Sequence, residues 1–90
     1  MYSITLRKED YEYLHNLNPE LRDYLKDFYE FESVEYVHVD WHCYPVKRLY
    51  RTLYLTKEAI EKILYYLPQE HHLRDLFQGF VDFQIMCNNW

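Results

Sequence analysis

VEYVHVDWHCY, residues 34–44, alternates in steps of two. Val37, Val39, Trp41 and Cys43 fall on one side, and Tyr36, His38, Asp40, His42 and Tyr44 on the other. That period belongs to a β-strand, whose successive side chains point to opposite faces. After Pro45 the run VKRLYRTLYL (46–55) again favours a strand. The two segments predict a hairpin of about 34–44 and 46–55, although no Asn-Gly turn marks its tip. At the N-terminus, Tyr2-Ser3-Ile4-Thr5-Leu6 alternates in the same way and predicts a third strand.

Helical signals fill the rest of the chain. Residues 8–17 suit a helix with Tyr11, Leu14 and Leu17 facing inward. Asn18-Pro19-Glu20 is a restart signal, with Asn as cap, Pro at the first helical position and an acid in the first turn. Leu21, Tyr24, Leu25, Phe28 and Tyr29 then follow the spacing of an amphipathic helix. Thr56 is placed to cap a helix over 57–67, with Leu55 and Ile60 as a hydrophobic staple and Pro68 as its stop. A last helix starts near residue 69, with Leu73, Leu76 and Phe77 on one face and Gly79 as its C-cap. Residues 80–87 suit either a strand, with Val81, Phe83, Ile85 and Cys87 inward, or an extension of that helix.

The chain also resembles itself. Leu6-Arg7-Lys8-Glu9 is echoed by Leu55-Thr56-Lys57-Glu58, and LRDYLKDFYEF (21–31) by LRDLFQGFVDF (73–83). Half-repeats of about 1–44 and 46–90 would each hold a strand followed by paired helices. The expected fold is a single α+β domain spanning residues 1–90, an antiparallel sheet packed by about four short helices. A ferredoxin-like βαββαβ order is the alternative arrangement.

Ninety residues allow one core. Eleven Tyr, five Phe and two Trp supply apolar area that compensates for the short chain. The single Gly leaves little provision for a phosphate-cradling loop. Two cysteines, Cys43 and Cys87, make no disulfide framework and no metal-type pair. No signal-peptide pattern and no long apolar run is present, so a cytoplasmic setting is expected, the host cytoplasm for a viral protein.

Charge is uneven. The net value is −5, but residues 1–40 carry ten acids against four bases, a balance of −6. On the helix expected after Pro19, Glu20, Asp23, Asp27 and Glu30 would form an acidic stripe, extended by Glu9, Glu12, Glu32 and Glu35. Carboxylates spaced along about 15 Å of helix approach the charge spacing of a nucleic-acid strand.

Two further clusters stand out. His38, Asp40 and His42, with Tyr36 and Tyr44 at their ends, offer imidazole and carboxylate on one strand face, the donor types of a transition-metal site. Ligands at i, i+2 and i+4 on a straight strand spread too far to converge easily on one ion. Lys47, Arg48 and Arg51, interleaved with Leu49, Tyr50 and Tyr54, combine cations and rings as single-strand nucleic-acid binders do. The glycine-containing signature of an RNA-recognition sheet is absent, and the net charge opposes phosphate binding.

Nothing in the chain composes a catalytic set. Ser3 and Ser33 lie in no nucleophile elbow, and Cys43 and His42 are strand neighbours that point apart. The expectation is a non-catalytic protein-binding module without a cofactor. Its partner would be a protein with a basic, nucleic-acid-binding surface, engaged at Glu20, Asp23, Asp27, Glu30, Glu9, Glu12, Tyr36 and Tyr44. Within that class the expectation is a small acidic inhibitor or modulator of a nucleic-acid-handling protein, with nucleic-acid mimicry as one mode. Phage and mobile-element proteins that block host defence or transcription share this general character of small, acidic, aromatic chains. The alternatives are an adaptor or homodimer using a Tyr/Trp surface, and a metal-binding domain built on His38, Asp40 and His42. No direct contact with nucleic acid or membrane is expected.

Overall fold

A computed structural model describes residues 1–90. Its order is β1 (Tyr2–Arg7), α1 (Lys8–Leu17), a 3₁₀ helix (Pro19–Asp23), β2 (Phe28–Val39), β3 (His42–Leu55), α2 (Lys57–Tyr66) and α3 (His72–Met86). The three strands form one antiparallel sheet in the order β1-β3-β2. This is a small α+β domain, as its periodicities predict. No helix is long and apolar enough to cross a membrane.

One face of the sheet is covered and the other is open. Ile4 and Leu6 of β1 and Leu53 and Leu55 of β3 pack beneath the helices with Leu14, Leu21, Leu25, Ile60, Ile63, Leu73 and Phe77, all buried. Tyr11 reaches the same core and donates its hydroxyl to the Leu25 carbonyl at 2.9 Å, satisfying a buried acceptor.

The helix expected after Asn18-Pro19 stops early. Asn18 does cap it, its Oδ1 accepting from the Glu20 amide at 2.9 Å, but only the 3₁₀ helix Pro19–Asp23 forms. The chain bends near Asp27 and is a strand from Phe28 onward. Tyr29-Glu30-Phe31-Glu32 alternates as well as it winds, and twelve ladder pairs with β3 prevail over a weak local propensity. Leu21 and Leu25 are buried as expected, whereas Phe28 and Tyr29 are not.

The hairpin turn is also displaced from Pro45. Val39 pairs with His42, so Asp40 and Trp41 form the two-residue tip. Asp40 adopts φ 55°, the left-handed conformation that Asp tolerates better than most residues. Pro45 lies inside β3 opposite Tyr36. Alternating hydrogen-bonded pairs counted from the tip turn its nitrogen outward, where no ladder bond is lost.

Residues 80–86 continue α3, and Gly79 sits within that helix instead of ending it. The stop lies at Asn88, with φ 56°. Asn88 N–H donates to the Ile85 carbonyl at 3.1 Å and Asn89 N–H to the Gln84 carbonyl at 2.8 Å, the Schellman pattern. Leu76 consequently points outward. Thr56 caps α2 as expected, accepting from the Ala59 amide at 3.2 Å. The two similar segments therefore fold differently: LRDLFQGFVDF is helical throughout, and LRDYLKDFYEF turns into a strand halfway.

Candidate functional site

The hairpin outgrows the sheet. β1 pairs with β3 only as far as Arg7 opposite Tyr50. Beyond that point β2 and β3 continue alone for eight pairs, from Glu32–Leu49 to Val39–His42. At about 3.3 Å per residue this two-stranded arm reaches roughly 26 Å past the third strand. The molecule measures 45 × 31 × 26 Å, with a radius of gyration of 14.9 Å. A compact chain of this length would have about 12 Å.

The arm carries large apolar side chains in water. Trp41 at the tip is 97% exposed, Tyr36 67% and Tyr44 50%, with Val34 and Val39 also exposed. Tyr36 shares the helix-side face with Pro45 and Val34, while Tyr44 lies on the open face beside Val37. The expectation that Tyr36 and Tyr44 flank one face is thus corrected. The turn at Asp40–Trp41 reverses the chain between them.

The same turn separates the histidines. His38 pairs with Cys43 on one face, His42 pairs with Val39 on the other, and Asp40 is in the turn. Read as one unbroken strand they share a face; folded, they do not. No group of three or more His, Cys, Asp or Glu side chains is placed to hold a metal ion.

The acidic stripe is likewise not assembled, because its helix does not form. Glu20 lies in the 3₁₀ helix and pairs with Lys62 of α2 at 3.2 Å, while accepting a hydrogen bond from Tyr66. Those two donors, the Tyr66 hydroxyl first, hold its carboxyl below the usual carboxylate range. Asp23 pairs with Lys26 at 2.9 Å, and Asp27 sits in the bend before β2. Glu30, now a strand residue, meets Arg51 at 3.0 Å and Lys8 at 3.7 Å. Glu9 and Glu12 are exposed on α1.

The basic cluster turns out to be the partner of these acids. Lys47 lies 3.8 Å from Glu32, and Arg51 lies 3.0 Å from Glu30. Arg48 Nε is 2.8 Å from Glu35 Oε2, an ion pair without hydrogen-bond alignment. Glu35 also accepts from Tyr50 and lies 3.9 Å from Arg7. An acidic β2 thus lies beside a basic β3. Cross-strand charge pairs of this kind favour one register over its slips.

The remaining clefts are shallow. One of about 490 Å³ is lined by Arg7, Glu9, Asp10, Arg48 and His72. Its arginines are engaged by Glu35, and Asp10 is engaged by His72 at 2.9 Å. No serine or cysteine lines it.

Trp41 is the surface residue that alternation alone misplaces, since it groups with Val37 and Val39. The one local cue to the tip is Asp40 itself, a residue type that tolerates the left-handed conformation of turns. Comparison of the chain with protein-family models, curated proteins and solved structures finds no match in any of the three.

Proposed function

We propose that this chain is a non-catalytic protein-binding module that engages its partner through the β2–β3 arm. The observation that carries this reading is the eight-pair ribbon with neither a third strand nor a helix over it, tipped by Trp41. A two-stranded hairpin is marginally stable by itself in water. Its exposed rings gain about 25 cal/mol for each Å² that a partner covers. Trp and Tyr are also the residue types that most often dominate binding energy at protein interfaces.

A protein surface suits the arm better than a nucleic acid does, because Lys47, Arg48 and Arg51 face the chain's own glutamates. The narrower reading, an inhibitor that imitates nucleic acid, rests on the net charge of −5 and the exposed Glu9, Glu12 and Asp27. The adaptor reading, through a Tyr/Trp surface, has the arm as its support.

A photo-crosslinking residue at position 41 should capture a partner that the same residue at position 65, exposed on α2, does not. A Trp41→Ser/Tyr36→Ser variant with unchanged circular dichroism and Tm should lose that partner. Retention of the partner by the folded variant overturns the reading. Binding should also vary little with salt, whereas acid mimicry requires steep loss.

A further inference from the structure

We infer that β2 pairs edge to edge with β2 of a second copy, antiparallel about a two-fold axis at Val34, joining two three-stranded sheets into one of six strands. This rests on the arm being the contact surface and names its occupant.

The two free edges of the arm differ. On the β3 side, the outward backbone positions are Cys43, Pro45, Lys47 and Leu49, as the ladder alternation sets them. Proline removes a donor there, one of the devices by which edge strands refuse a neighbour. On the β2 side, the outward positions are Phe28, Glu30, Glu32, Val34, Tyr36 and His38. They include no proline, and both acids are already neutralised within the chain, Glu30 by Arg51 and Lys8, Glu32 by Lys47. One edge is guarded and the other is not.

The unguarded edge is self-complementary in one register. Pairing about Val34 sets Glu30 opposite His38 of the second copy, and Glu32 opposite its Tyr36. On the open face, Phe31 meets Val37 and Tyr29 meets Val39, the aromatic–β-branched pairs that stabilise sheets. Moving the axis to Glu35 or Glu32 sets a glutamate opposite itself. Moving it to Ser33 sets Phe31 against Glu35. Of the four registers about Glu32, Ser33, Val34 and Glu35, the one about Val34 is alone in setting no glutamate against itself or against Phe31, and it needs a second copy of the same sequence to do so.

Sedimentation of the full chain at tens of micromolar should give twice the 11.4 kDa chain mass. Val34→Pro removes an outward amide while leaving the β2–β3 ladder intact, so it should give a folded monomer whose Tm no longer rises with protein concentration, as that of the dimer does. In a Cys43→Ser/Cys87→Ser background, Val34→Cys should form an intermolecular disulfide under mild oxidation, and Glu32→Cys should not. A monomeric wild-type chain, a dimeric Val34→Pro variant, or equal crosslinking at 32 and 34 overturns the pairing. Those results leave the arm itself to the crosslinking at position 41, which reports on any partner.

Discussion

Arg51 holds its guanidinium 4.4 Å from the centre of the Tyr11 ring, and the Phe28 ring lies at the same distance. Its Nε donates to Glu30 at 3.0 Å. One side chain therefore ties α1, β2 and β3 together at the root of the arm, next to the last β1 pairs. The stem packs, the charge is paired, and the flat cation stacks, which lysine cannot reproduce.

Replacing Arg51 with Ala should cost about 2–3 kcal/mol, since it removes both stacking contacts and one partner of Glu30. Arg51→Met keeps the stem and should recover about half of that loss. Urea unfolding of the three proteins measures both values. Equal losses for Ala and Met would assign the whole effect to the charge.

The second anchor is electrostatic and joins the 3₁₀ helix to α2. Glu20 is held below its ordinary pKa of 4.5 by the Tyr66 hydroxyl and by Lys62. Lys62 is raised above 10.5, chiefly by its bond to Glu20, and Tyr66 above 10.0 by the same carboxylate. A depressed carboxyl stabilises the fold above the unfolded pKa and loses that contribution as pH falls through the folded value. The raised groups contribute below their unfolded values and lose it as pH rises through the folded ones.

Glu20→Gln should therefore melt below the wild type around neutral pH, and the gap should shrink as pH falls below 4.5 and through the lowered folded value. Thermal scans across that range decide it. A gap of constant size at acid pH would mean that Glu20 acts through packing and not through its charge.

The elements that local chemistry settles were legible in the sequence. Thr56 and Asn18 cap where their types and spacing say they should, and Leu14, Ile60 and Leu73 are buried on helical stripes. What escaped was set by pairing at a distance. Phe28-Tyr29-Glu30-Phe31 fits both periods, and only the β3 strand 20 residues onward, with Arg51 facing Glu30, decides for the strand. The acidic stripe and the basic cluster each suggested a missing partner because a one-dimensional reading could not place them beside each other. The tip eluded the same reading because Pro45 looks like a break, although at an outward position on a free edge it costs no hydrogen bond.

Gly79 gives the last prediction. It stands in the middle of α3, and a Cβ built on it meets nothing within 4 Å. Glycine in a helix interior costs about 0.5–1 kcal/mol relative to alanine, because the unfolded chain loses more freedom and no side chain covers the backbone. Gly79→Ala should therefore stabilise the protein by about that amount, raising Tm by about 2–8 °C for a domain of this size. Since α3 packs against the core through Leu73, Phe77 and Val81 and does not touch the arm's tip, partner binding should stay unchanged. Calorimetry and the position-41 crosslink check the two halves of that claim. A lower Tm would show that residue 79 needs the freedom of glycine, which its helical surroundings deny.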